Sequence, residues 1–201
     1  MVQFKRERVL HDVLEDANKN SSEFYGIRIK VDRFQAINEI YSIETGDRLL
    51  RQIAIRLKNV IPDGAILTRG QGNEFFLTEA CNQSQAAAES SVLILQDVMK
   101  DSFSLELDHG ETIEEMSFTA SAGVVLYPKD GTETGELLTK SQLSLQYAAQ
   151  QGNSYRYFDW RAARRKVSRD VIRLEADLRV ALEKDQFELH YQPQVDLETG
   201  R

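Results

Sequence analysis

The chain has 201 residues, 41% of them hydrophobic and 28% charged, which suits one substantial core plus a fragment of a second unit. Its formal charge of −7 argues against general nucleic-acid binding and against an anionic membrane surface, because both call for excess cations. The single cysteine, Cys81, excludes an internal disulfide, and no apolar run reaches the roughly 18 residues of a membrane span.

Cys81 lies among Glu79, Ala80, Asn82 and Gln83 with no histidine close in sequence, so it reads as an inert thiol in a reducing compartment. The expected location is cytoplasmic. The charged stretch from Lys5 to Arg8 is unlike a signal peptide, and a parent attached to a membrane through an upstream anchor stays open.

In chain order, Phe4, Val9, Leu10, Val13 and Leu14 have helical spacing, broken by Lys19-Asn20-Ser21-Ser22. Phe24 to Val31 alternates as a strand, with Ile27, Ile29 and Val31 on one side and Arg28 and Lys30 on the other. Asp32 to Tyr41 reads as a short helix with Phe34, Ile37 and Tyr41 on one face. Gly46-Asp47 is expected to open the next helix, with Asp47 as its N-cap and Leu49, Leu50, Ile53, Leu57 and Val60 as its buried stripe.

Pro62-Asp63-Gly64 then turns the chain into a hairpin whose apolar runs, Ala65 to Thr68 and Phe75 to Leu77, flank a glycine-bearing polar tip. Gln83 to Met99 is rich in alanine and leucine and predicts a helix. A second hairpin is expected next. Phe103, Leu105 and Leu107 alternate with polar residues, His109-Gly110 turns, and Met116 to Leu126 returns as one alternating strand. Gly135 to Gln151 predicts a helix stopped by Gly152-Asn153, and Tyr155 to Phe158 a last edge strand. Strands and helices mix without strict βα alternation. The order predicts an α+β fold with a ferredoxin-like or palm-like core, in which a central mixed, largely antiparallel sheet is flanked by helices.

The composition shifts at Trp160. Arg161, Arg164, Arg165, Lys166, Arg169 and Arg173 crowd one segment, through which Val167, Val171, Leu174, Leu178 and Leu182 run at steps of three or four. This reads as a long amphipathic linker helix over 159–184, whose basic run is a solvated face or, on the other reading, a partner or nucleic-acid contact. The acidic globule and the lack of interleaved aromatics favour no nucleic-acid partner. Phe187 to Val195 begins a new strand-like run, as in a piece cut from a longer parent.

The hairpin tip carries a five-residue stretch, Gln71-Gly72-Asn73-Glu74-Phe75, that resembles the signature of the GGDEF family, whose members condense two GTP molecules into cyclic di-GMP. Three further segments carry the resemblance. They are Lys30-Val31-Asp32-Arg33-Phe34-Gln35-Ala36-Ile37-Asn38, Gly46-Asp47, and Thr119 to Val124 with the helix end Ala148 to Asn153. Each is weak alone, but their order and spacing together are specific. The tail, Arg173 to Leu182 followed by Phe187-Glu188-Leu189-His190-Tyr191-Gln192-Pro193, is similar to the opening of an EAL domain, a family that hydrolyses cyclic di-GMP. Gln192 matches a dinucleotide contact there, but the rest of that site would lie beyond Arg201. The resemblance therefore divides the chain into a GGDEF-like domain at 1–158, the linker at 159–184 and an EAL fragment at 185–201.

Position by position, the resemblance implies a degenerate cyclase site. Joining a 3′-hydroxyl to an α-phosphate takes divalent cations, held by hard oxygen ligands. The family's strand-end metal aspartate is Lys30 here, and the acidic third residue of its signature is Asn73. Glu74 and Asp32 remain, and a lone carboxylate beside Lys30 is expected to pair with it. Three phosphate-gripping positions hold Gln35, Ala149 and Asn153, and the product-inhibition positions hold Pro62 and Ala65. Asn38 and Asp47 match the guanine-reading pair. The implied function is a catalytically inactive module beside an EAL phosphodiesterase, with GTP as ligand through Asn38, Asp47 and Lys30, and magnesium only together with nucleotide. The alternatives are a structural or homodimerising module without nucleotide and, less favoured, a working cyclase.

Overall fold

The computed structural model describes residues 2–20, 22–106 and 112–159, together with Val180, Ala181, Lys184 and Gln186. The chain divides into two units, Met1–Phe158 and Asp159–Arg201. The expected linker helix, the EAL fragment and Gln192 fall almost wholly outside the described residues, as does the His109-Gly110 turn.

The first unit contains α1 (Val2–Asn20), β1 (Phe24–Val31), α2 (Phe34–Ile40), α3 (Ile43–Lys58), β2 (Ile66–Arg69), β3 (Glu74–Ala80), α4 (Ser84–Val98), β4 (Phe103–Glu106), β5 (Thr112–Met116), β6 (Ala120–Tyr127), α5 (Thr134–Gln151) and β7 (Tyr155–Tyr157). Five strands form the main sheet in the order β2-β3-β1-β6-β7, and β4 pairs with β5 in a separate ribbon. All main-sheet pairs are antiparallel except β6 with β7. β6, α5 and β7 thus form a parallel strand–helix–strand crossover at one edge. The α+β architecture with a mixed sheet flanked by helices is the one the sequence predicts.

Because β1 and β6 are central strands, both of their faces are covered. On one face Tyr25, Ile27, Ile29 and Val31 pack with Leu49, Leu50, Ile53 and Leu57 of α3 and Val92 and Leu95 of α4. On the other, Phe24, Phe76, Val125 and Tyr127 pack with Leu10 and Leu14 of α1 and Leu137 and Leu138 of α5. Gly123 of β6 permits the second layer to come close. A Cβ there would lie 2.3 Å from the Leu145 nitrogen and 2.4 Å from the Ser141 carbonyl oxygen, both α5 backbone atoms.

Two expectations are corrected. The strand expected from Met116 to Leu126 is interrupted at Ser117–Thr119: its first part ends the β4–β5 ribbon, and its second part is a central strand of the main sheet. Alternation shows which residues share a face but not which sheet a strand joins. The helix expected to open at Gly46-Asp47 begins at Ile43, and its cap is Ser42, whose hydroxyl accepts from the Thr45 amide at 3.1 Å. Asp47 lies in the second turn, past the reach of a capping side chain.

Candidate functional site

The β2–β3 hairpin forms at the expected place. Its tip closes through Gly70 N donating to Glu74 O at 2.7 Å and Glu74 N donating to Gln71 O at 3.1 Å. Gly72 has φ +58, a left-handed conformation that glycine adopts without steric cost. Phe75, the last signature residue, is a core side chain only 1% exposed. It roots the tip in the hydrophobic layer while Gln71 stays exposed.

Pairing between β3 and β1 brings this tip to the end of β1. Lys30 is in register with Glu74 on one side and Ser121 of β6 on the other. Asn73 is stitched to the strand end twice. Its side-chain nitrogen donates to Val31 O at 2.5 Å, and its carbonyl accepts from Val31 N at 3.2 Å. The first bond requires an amide donor; a carboxylate there would face a carbonyl oxygen with no proton to offer.

Glu74 does not pair with Lys30 as expected. Its carboxylate reaches diagonally to Arg28, Oε2 to Nη1, at 3.4 Å, and the two side chains are 17% and 6% exposed. Arg28 is the residue that sequence reading missed. Its Nε donates to Ser141 Oγ at 3.2 Å, Nη2 to Leu138 O at 3.2 Å, and Nη1 also to the Gln142 side-chain oxygen. Among the described residues the Lys30 side chain makes no hydrogen bond or ion pair. Asp32, the other retained acid, accepts from Thr119 Oγ1 and Ser121 Oγ, each at 2.8 Å, and from the Asn153 amide at 2.9 Å. It ties the start of the β1–α2 turn to β6 and to the turn leaving α5.

The two guanine-reading candidates meet where α2 packs on α3. Asn38 Oδ1 is buried without a hydrogen-bond partner among the described residues. It lies so near Gly46 that an added Cβ would sit 2.0 Å from it, and 3.0 Å from Phe34 Cζ. Asp47 follows Gly46 directly and forms a half-exposed ion pair with Arg69 at 3.5 Å, while Arg69 also donates to Gly72 O at 3.2 Å. Arg69 thereby links the hairpin tip to α3. Asn38 and Asp47 are thus brought together, and Lys30 belongs to the neighbouring strand-end cluster with Asn73 and Glu74.

A cleft of about 770 Å³ opens between α2, the β5–β6 connection and the end of α5. Its lining includes Asp32, Arg33, Tyr41, Phe118, Ala149 and Asn153, with Arg33 the one cation among the lining residues, and it excludes Lys30, Asn38 and Asp47.

The sequence model of the family described as "Diguanylate cyclase, GGDEF domain" matches residues 4–155. The chain belongs to the GGDEF domain family. Among curated relatives, the cyclic di-GMP phosphodiesterase NbdA of Pseudomonas aeruginosa is 33% identical over 172 residues, covering 86% of this chain and 21% of that protein. MucR of the same species, named as a bifunctional diguanylate cyclase/cyclic di-GMP phosphodiesterase, is 29% identical over 188 residues, covering 92% of this chain and 26% of that one. This GGDEF chain therefore spans about a fifth to a quarter of the length of these relatives. The isolated GGDEF domain of TpbB (YfiN) from Pseudomonas aeruginosa superposes with a TM-score of 0.71 at 25% identity, over 82% of this chain and 93% of that one. The active GGEEF domain of a diguanylate cyclase from Vibrio cholerae, at 18% identity, TM-score 0.66 and coverage of 79% and 99%, shares the fold.

Synthesis of cyclic di-GMP by the family implies divalent metal at the end of β1, and the side chains of this GGDEF domain do not fit one. Lys30 places an ammonium there, which repels a cation and cannot ligate it. The Asn73 amide is turned to Val31 O, Asp32 accepts three donors, and Glu74 is engaged by Arg28.

Proposed function

We propose that this GGDEF domain is a regulatory module that makes no cyclic di-GMP. It takes GTP through Asn38 and Asp47, with Lys30 supplying positive charge where the family uses a metal ion, and its liganded state modulates an adjoining EAL phosphodiesterase in the cytoplasm through residues 159–184. The observation that carries this reading is Lys30 at the end of β1, in register with Glu74.

The base half of the site supports GTP as the ligand. Asn38 Oδ1 is a buried acceptor with no partner among the described residues, which suits a purine amino or ring N–H donor that enters the α2–α3 seam. Among the described residues Asp47 is held by a half-exposed ion pair with Arg69, a bond weak enough to be exchanged for a ligand. The phosphate half supports weak binding, since Gln35, Ala149 and Asn153 supply none of the charged grips that hold a triphosphate tightly. Names such as those of NbdA and MucR support the coupling to cyclic di-GMP hydrolysis.

Calorimetric titration of the domain with GTP, with and without magnesium, is expected to give millimolar affinity with little dependence on the metal. An absence of heat and of chemical-shift change at millimolar GTP would overturn the ligand assignment. Incubation with GTP and magnesium or manganese, followed by nucleotide chromatography, is expected to yield no cyclic di-GMP.

A dimerising module without nucleotide is the second reading. It is favoured by Ile40 and Ile43, which stand 70% and 72% exposed at the junction of α2 and α3, and it predicts a concentration-dependent dimer that is indifferent to every nucleotide.

A further inference from the structure

We infer that Arg28 is a built-in counter-cation that has taken the signature glutamate out of metal chemistry, so that exclusion of divalent ions rests on Arg28 as much as on Lys30 and Asn73. The inference rests on reading the end of β1 as the family's former metal side. It does not depend on whether GTP binds.

Arg28 points into the layer between the sheet and α5, where its guanidinium is nearly inaccessible to water. An arginine cannot shed its proton to escape such a place, so its charge must be met by acceptors. Ser141 Oγ, Leu138 O and the Gln142 side chain supply neutral acceptors on α5, and Glu74 supplies the carboxylate, from β3. The reach to α5 is possible because Gly123 stands in register with Arg28 on β6 and lets the helix backbone approach where a Cβ would intrude. Glu74 is consequently aimed along the sheet at a fixed positive charge. A divalent ion brought to this carboxylate would have Arg28 and Lys30 as neighbours on the same face of β1 and would compete with a ligand already in place. Restoring acids at positions 30 and 73 alone would leave that competition intact. Arg28 is in this sense a positioning residue, acting on the metal through Glu74.

The test compares manganese binding, read from the free-ion electron paramagnetic resonance signal, in two nucleotide-free variants. The double variant Lys30→Asp plus Asn73→Asp is expected to bind Mn²⁺ weakly. Adding Arg28→Met is expected to tighten binding at least tenfold and to make the thermal midpoint rise with Mn²⁺, because three clustered carboxylates then lack an internal cation. Equal affinities in the two variants would overturn the inference.

A second variant decides the matter should the triple one fail to fold. Glu74→Gln in the otherwise unchanged domain is expected to lower the melting temperature in metal-free buffer and to leave the residual Mn²⁺ affinity unaltered. A melting temperature that stays level or rises would mean the carboxylate is not committed to Arg28. Neither readout involves GTP, so a failed GTP titration and a failed manganese comparison point to different errors.

Discussion

Between α2 and α3, Asn38 keeps a buried amide oxygen without a protein partner, and Gly46 leaves it room. At the end of β1 the retained polar groups are tied inward: Asp32 accepts three hydrogen bonds, the Asn73 amide holds Val31 O, and Glu74 faces Arg28. On the proposed reading the two halves belong to one site, yet one keeps a buried acceptor without a partner among the described residues and the other has its retained acids and Asn73 tied into the fold. If the site makes no cyclic di-GMP, as proposed, it need not be an empty shell. Its former functional groups can become structural ones, and the halves then respond differently to substitution: changes at the strand end should cost stability, and changes at the helix pair should cost ligand affinity.

The largest effect is expected from Gly123→Ala, which sets a Cβ against two α5 backbone atoms and pushes away the helix that receives Arg28. Denaturant unfolding should register a loss of about 3 kcal/mol. A change below about 1 kcal/mol would mean that α5 yields freely and that the Arg28 network does not depend on its position. Glu74→Gln comes next. It leaves a guanidinium only 6% exposed without its carboxylate and with neutral acceptors from α5, and should cost about 2–3 kcal/mol, less than a fully broken buried pair because those acceptors stay and Gln can still accept a bond.

The helix pair should behave in the opposite sense. Gly46→Ala forces Asn38 to swing away and crowds Phe34 Cζ, but alanine gains about 1 kcal/mol in helix propensity, so stability should fall by no more than about 1 kcal/mol while GTP affinity falls about tenfold, the worth of one hydrogen bond of about 1.4 kcal/mol. A large loss of stability without loss of affinity would erase the distinction between the halves. Finally, Ser42→Ala should cost about 1 kcal/mol as a lost cap, whereas Asp47→Ala should change stability by less than about 0.5 kcal/mol, since its half-exposed pair with Arg69 contributes little, and should be felt in GTP titration instead.

Much of the fold was legible because periodicity marks which residues share a face. Ile27, Ile29 and Val31 identify the buried side of β1, and the glycine-bearing stretch from Gly70 to Asn73 identifies the hairpin tip. What periodicity could not convey is how many layers cover a strand. Arg28 and Lys30 stand on the side of β1 that an alternating pattern marks as polar, but β1 lies between β3 and β6 under helices on both faces. Arg28 is therefore buried and must find acceptors from α5, more than a hundred residues away in sequence. The available signal was an arginine in the middle of an otherwise apolar central strand. The cap was misplaced for a related reason. Gly46-Asp47 matches a helix opening in isolation, whereas Ser42, with the Thr45 amide three residues on, is the residue whose hydroxyl reaches a free N–H. Local patterns name the residue types that can do a job, and only the path of the chain decides which one does it.

The Arg28–Glu74 couple also bears on the history open to this lineage. Replacing the glutamate first leaves the buried arginine without its carboxylate, and replacing the arginine first leaves a half-buried acid without its counter-cation. Neither single step is neutral, and a third and fourth substitution, at Lys30 and Asn73, would be needed before a divalent ion could repay the cost. On the proposed reading the pair would work as a ratchet in sequence space: any return to metal dependence would pass through less stable intermediates.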